Sequence, residues 1–321
     1  MNWFIPAIIC TLGWGCADLF YKRSNSDDRY SHLKTAVWVG LVMGAAALCL
    51  LPFSESGMSA GAIVRGAVLY APASLCYIIS MVIGYAGLRY LELSIVSPVQ
   101  NASGALSAIC MLVYFTAAGR ISGISDEFSA LDLIGTAAIA AGVIALAFAE
   151  QRISAQEKQA VPVSERKYIS GALALVFPLL YCLFDTLGTA ADGVILDEET
   201  GLGLGEIDVI ILYGLTFFVA GTVAWLYMMI RTKKPYNPVA KGEGSKALAA
   251  VFEQIGQIFY VYAMAARPVL AAPMVASYCI VSVILSRLLL REKLKLSQYI
   301  CVAAVICGIV LLGVSEGISE A

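Results

Sequence analysis

The chain has 321 residues, of which 60% are hydrophobic and 14% charged, and its formal net charge is −2. Soluble domains are nearer half apolar and a quarter charged, so the composition excludes a soluble globular protein, and the small net charge points away from nucleic acid as a partner. At about 20 residues per membrane-spanning helix plus short loops, the length has room for roughly ten helices and no sizeable soluble domain.

Apolar runs predict spanning helices at residues 3–21, 33–53, 67–88, 95–117, 131–149, 168–191, 209–230, 247–266, 270–290 and 299–314. The first ends Trp14-Gly15-Cys16-Ala17-Asp18, an acid inside an apolar helix with an aromatic ring one turn before it. The sixth repeats this arrangement, with Tyr181 and Asp185 each 167 positions after Trp14 and Asp18. Ser97-Pro98 opens the fourth run as Ala272-Pro273 opens the ninth, and Gly142 of the fifth corresponds to Gly308 of the tenth. Gly and Ala crowd the fifth run between Gly135 and Gly142, a surface for close helix packing inside the bundle or, less expectedly, between copies.

The polar stretch 150–167 reads as a linker between halves 1–149 and 168–321. Five helices is an odd number, so the second half enters from the opposite side. The expected fold is all-α integral membrane, ten helices as two inverted five-helix repeats. Of the 21 Lys and Arg, only Arg65, Arg120 and Arg267 fall in even-numbered connections. The positive-inside rule then puts the odd loops, the linker included, in the cytoplasm and both termini outside a cytoplasmic membrane. No basic segment precedes the first apolar run, so no cleaved signal peptide is expected. The nine cysteines sit singly and His32 is the one histidine, which implies neither disulfide, metal nor other cofactor.

The five-plus-five pattern, Leu88-Arg89-Tyr90 leading to Val96-Ser97-Pro98, and Leu290-Arg291-Glu292-Lys293-Leu294 followed by Gly308 resemble the EamA branch of the drug/metabolite transporter superfamily. The turn Gly119-Arg120-Ile121-Ser122 departs from the family's Gly-Glu at that place. Phe252-Glu253-Gln254-Ile255 with Tyr260 and Ala263, then Ala276-Ser277-Tyr278, looks like the eighth and ninth helices of bacterial choline importers of that superfamily. The resemblance implies a secondary transporter working by alternating access, with a small organic molecule as substrate.

Ionisable groups inside spanning helices cost roughly 2.5–3.5 kcal/mol each on insertion scales, so Asp18, Asp185 and Glu253 are candidates for coupling, with protons as the ion. Asp18 could instead pair with Lys22 one turn on, and Asp185 could be a boundary acid grouped with Asp192. Glu253, flanked by Gln254 and followed by Gln257, lies about 10 Å in from Lys246 and suits a proton carrier or a counter-charge for a cation.

Aromatic faces with a carboxylate bind quaternary ammonium groups, which makes Trp14, Tyr181, Tyr260 and Tyr278 candidate cage residues, with Tyr262 a further ring on the eighth run. Each could equally be packing. Gln100 and Asn101 offer hydrogen bonds from the first half, to a substrate or between helices. A choline-like cation is the expected substrate. An exporter of neutral amino acids or other metabolites is the rival, and a membrane receptor or scaffold the alternative from outside transport. A membrane enzyme lacks a nucleophile–base or metal constellation. The sequence leaves oligomeric state and direction of transport open.

Overall fold

The structure, a computed structural model, describes residues 2–24, 30–57, 59–90, 102–159, 172–197, 199, 201–240, 242–289 and 294–320. Its long helices are α1 (Phe4–Ser24), α2 (Ser31–Leu50), α3 (Ala60–Tyr90), α4 (Ser103–Ala117), α5 (Ala130–Gln159), α6 (Ala172–Ile195), α7 (Glu206–Thr232), α8 (Gly244–Ala266), α9 in two segments (Pro268–Ala276 and Tyr278–Leu289) and α10 (Leu296–Ser319). Among the described residues there is no strand. Eight stretches there are long and apolar enough to cross a membrane, and α4 is a shorter apolar helix. With α6 these make the ten helices expected, and the chain is a multi-pass membrane protein.

Each expected helix is present, several with shifted ends; the starts expected at 95, with Ser97-Pro98, and at 168 lie outside the described residues. α3 begins at Ala60, before the expected start, because Arg65 keeps its long side chain exposed while its backbone continues the helix. α5 runs to Gln159, into the stretch expected as a linker, where Ala155, Gln156, Glu157 and Lys158 all favour helix.

The expected ninth helix is not continuous. The Met274 carbonyl accepts the Ser277 hydroxyl at 2.6 Å, the Ser277 backbone N–H at 3.1 Å and the Thr11 hydroxyl of α1 at 3.2 Å. Hydroxyls and a tight turn thus occupy an acceptor that the next turn of α-helix would use, and the helix restarts at Tyr278.

Packing runs mainly between the halves: α2 lies on α7, α1 on α8, α5 on α10, α3 on α6, and α4 on the first segment of α9. The small face of α5 meets α10, where a Cβ on Gly135 would stand 3.0 Å from the Gly308 carbonyl oxygen. That face is internal, as expected from its composition, and its close approach gives dispersion attraction that lipid cannot replace. At one end of the bundle the Trp3 indole N–H donates to Glu316 at 2.7 Å and the Asn2 amide to Glu320 at 3.0 Å, so both chain ends stand at the same face.

Candidate functional site

Two cavities within the bundle bring charged and aromatic groups together. The larger, about 770 Å³, opens at the end where the chain ends meet. Glu55, Glu127, Asp197, Glu206, Glu316 and Glu320 line it together with Arg120 and Arg267. Arg120 Nε is 3.3 Å from Glu199 and 3.6 Å from Asp197, and Arg267 donates to the Glu127 carbonyl at 3.0 Å. This vestibule is therefore predominantly acidic.

The smaller cavity, about 160 Å³, sits deeper. It contains Trp14, Asp18 and Tyr21 from α1, Tyr181, Asp185 and Thr189 from α6, Glu253, Gln257 and Tyr260 from α8, and Ala272 and Tyr278 from the two segments of α9. Eight of the ten residues singled out from sequence thus converge on one space: Trp14, Asp18, Tyr181, Asp185, Glu253, Gln257, Tyr260 and Tyr278. Gln100 and Asn101 lie outside the described residues. Tyr262 is absent from the described cavity wall.

The local sequence explains the convergence. Glu253, Gln257 and Tyr260 recur at four- and three-residue spacing and share a face of α8, as Asp18 follows Trp14 on α1 and Asp185 follows Tyr181 on α6. The break at Ser277 brings Tyr278 in at the start of a new segment. Trp14 is positioned by Gly256: a Cβ there would lie 2.6 Å from the indole nitrogen, so only glycine lets the ring rest on the α8 backbone.

The rings form a connected wall. Trp14 and Tyr260 centroids are 5.2 Å apart at 30°, and Trp14 meets Tyr278 edge-on at 6.0 Å and 85°. Tyr77 of α3 continues the wall, edge-on to Tyr260 at 6.1 Å and to Tyr213 of α7 at 5.7 Å. Its hydroxyl bonds to the Tyr260 hydroxyl and to Thr189 Oγ1, the latter at 2.9 Å.

The acids are held by hydroxyls from the opposite half. Ser282 of α9 donates to Asp18, and Ser103 of α4 donates to Asp185 at 2.6 Å. Glu253 lies within electrostatic range of Asp18 and of Asp185, and no Lys, Arg or His is among the described residues lining the cavity. Carboxylates that ionise together around one space repel, and a cation placed between them relieves that repulsion.

Sequence reading missed Tyr77, Tyr213, Thr189, Ser103 and Ser282. Tyr77 carried no carboxylate one turn away to draw attention, and serine hydroxyls are common packing groups in membrane helices. The alternative sequence reading of Asp185 grouped that acid with Asp192 at the membrane boundary. α6 continues to Ile195, and Asp192 is fully buried inside the bundle with its carboxylate 2.7 Å from the Tyr70 hydroxyl of α3.

Comparison with known proteins bears on the second half most directly. Residues 200–314 match the model of the EamA-like transporter family. A solved chain described only as a crystal structure of a protein superposes with a TM-score of 0.61 over 99% of both chains at 13% identity, which shows a shared fold. No curated protein matches the chain. The portion of the chain that supplies Glu253, Gln257, Tyr260, Tyr278 and Ser282 is therefore similar to EamA-like transporters, which points to a membrane transporter.

Proposed function

We propose that the protein is a secondary transporter of a small organic cation, choline-like in chemistry, which binds in the cavity between Glu253 and the Trp14, Tyr260 and Tyr278 rings. The single observation that carries this reading is the wall itself: three carboxylates, a connected set of aromatic faces and no basic residue among its described members. A desolvated cation–π contact is worth about 2 kcal/mol or more, and a carboxylate counter-charge adds to it. Tyr181, Asp18 and Asp185 complete the cage, with Gln100 and Asn101 proposed as hydrogen-bonding groups from the first half. Glu253, Asp18 and Asp185 are also the groups we assign to coupling, with protons as the ion. The acidic vestibule raises the local concentration of cations at one mouth.

Alternating access around this site is supported by the way the helices pair. Exchanging every helix with the one five places later leaves the α2–α7, α4–α9 and α5–α10 pairings unchanged and turns α1–α8 into α6–α3, which is also present. That exchange symmetry supports the reading of two related halves, 1–149 and 168–321 joined through 150–167, which we take as inverted repeats, and the discontinuous α9 at the cavity fits a transporter of this kind. In the proposed orientation the vestibule and both termini face outward from the cytoplasmic membrane. Thiol labelling of intact cells checks it: in a cysteine-free background Ser319→Cys should react with an impermeant reagent and Thr232→Cys should be protected. The opposite pattern inverts the topology.

Counterflow in proteoliposomes tests the function. Internal choline should drive entry of labelled choline, and neutral amino acids should not. Exchange of neutral amino acids without choline would favour a metabolite exporter, and no exchange of either would leave a receptor or scaffold.

A further inference from the structure

The vestibule and the substrate cavity are separate spaces, and the layer between them contains an acid that neither space reaches. Along α6, Thr189 lines the inner cavity and Ile195 the vestibule, with Asp192 on the turn between. Along α8, Tyr260 lines the cavity and Ala265 the vestibule, with fully buried Met264 between. At 1.5 Å per residue the layer is roughly 7–9 Å thick. Tyr70 of α3 is fully buried within it.

A permanent wall needs only apolar side chains. Here Asp192 Oδ1 accepts the Tyr70 hydroxyl at 2.7 Å, whereas Oδ2 is buried with no hydrogen bond of ordinary length, the Tyr77 and Tyr260 hydroxyls being its nearest polar neighbours. An unmet buried acceptor is costly, and it regains partners as soon as water enters. Separation of α3 from α6 would hydrate both Asp192 and Tyr70, and that hydration offsets part of the cost of parting the two helices. The Tyr70–Asp192 bond can thus bias the layer toward closure and is weak enough to be exchanged. Nearer the cavity, the Tyr77 hydroxyl joins Thr189 of α6 to Tyr260 of α8, so a ligand touching Tyr260 touches the same seam of hydroxyls.

We propose that Tyr70 and Asp192 form the latch of the vestibule-side gate, a positioning pair that closes the substrate cavity from that mouth. The inference rests on reading the inner cavity as a transport site, and the experiment separates the two. In protein freed of its nine cysteines, Ser80→Cys places a thiol in the cavity wall. An impermeant maleimide is applied in vesicles to the face from which Ser319→Cys is labelled, and choline counterflow is measured on the same preparation.

Tyr70→Phe and Asp192→Ala should each raise the labelling rate of the cavity thiol at least about fivefold, the effect of losing one such bond. The double variant should add nothing more. Asp192→Asn keeps an oxygen for the Tyr70 hydroxyl and should label near the parent rate, and it is the faster labelling of the isosteric Tyr70→Phe that a merely space-filling role would not predict. Tyr70→Phe is isosteric and serves if Asp192→Ala does not fold. Unchanged labelling in a folded Tyr70→Phe variant, or Asp192→Asn labelling as fast as Asp192→Ala, overturns the latch even when counterflow persists. Faster labelling without counterflow keeps the latch and removes the transport reading.

Discussion

Glu253→Gln should abolish net uptake of a choline-like cation while leaving insertion, expression and thermal melting close to those of the parent. Glutamine keeps the side chain's shape and loses the charge, so the comparison isolates electrostatics. At an effective dielectric of about 20, a unit charge about 5 Å from a bound cation contributes roughly 3 kcal/mol, which corresponds to about a hundredfold in Kd. Asp18→Asn and Asp185→Asn should cost less in binding. Each of those acids already receives a serine hydroxyl from the other half of the bundle, which disperses part of its charge, and an asparagine oxygen can still accept that bond. Isothermal titration and uptake on the three variants check the order. Full uptake by Glu253→Gln at normal expression would remove its central role.

The second large effect concerns the rings. Tyr278→Phe should change choline affinity little, and Tyr278→Leu should weaken it at least about tenfold, near 1.4 kcal/mol. Phenylalanine keeps the π face that meets Trp14 edge-on at 6.0 Å, and only the hydroxyl is removed. Leucine keeps much of the apolar volume and loses the quadrupole. A neutral substrate held by hydrogen bonds gives the reverse emphasis, since removal of the hydroxyl leaves a buried polar partner unmet. Binding titrations in detergent separate the cases: equal losses for Phe and Leu would contradict a cage at Tyr278.

The helices were legible because each is a long apolar run, and their number holds even where ends shift. The three cavity acids were legible for the same reason inverted, as charges where the solvent is hydrocarbon. Their hydroxyl partners were not. Nothing near Ser103 or Ser282 in sequence points to acids 82 and 264 positions away. The break in α9 escaped because the Met274 carbonyl is shared with Thr11, 263 positions earlier, a tertiary interaction that no local periodicity encodes. The burial of Asp192 was not legible from its position. An acid near the end of an apolar run reads as a boundary residue until the helix is seen to continue past it and Tyr70 to cover it from α3.

The central claim is that this cavity selects a positive charge, and the sharpest measurement compares choline with its carbon isostere, in which a quaternary carbon replaces the nitrogen and shape is retained. Each is tested as a competitor of labelled choline binding to the purified protein. The acidic, ring-lined cavity predicts that choline competes at least about tenfold better than the neutral isostere, and that Glu253→Gln narrows the difference. Equal competition by the two in the parent protein would contradict it, since the site would then be reading shape and not charge.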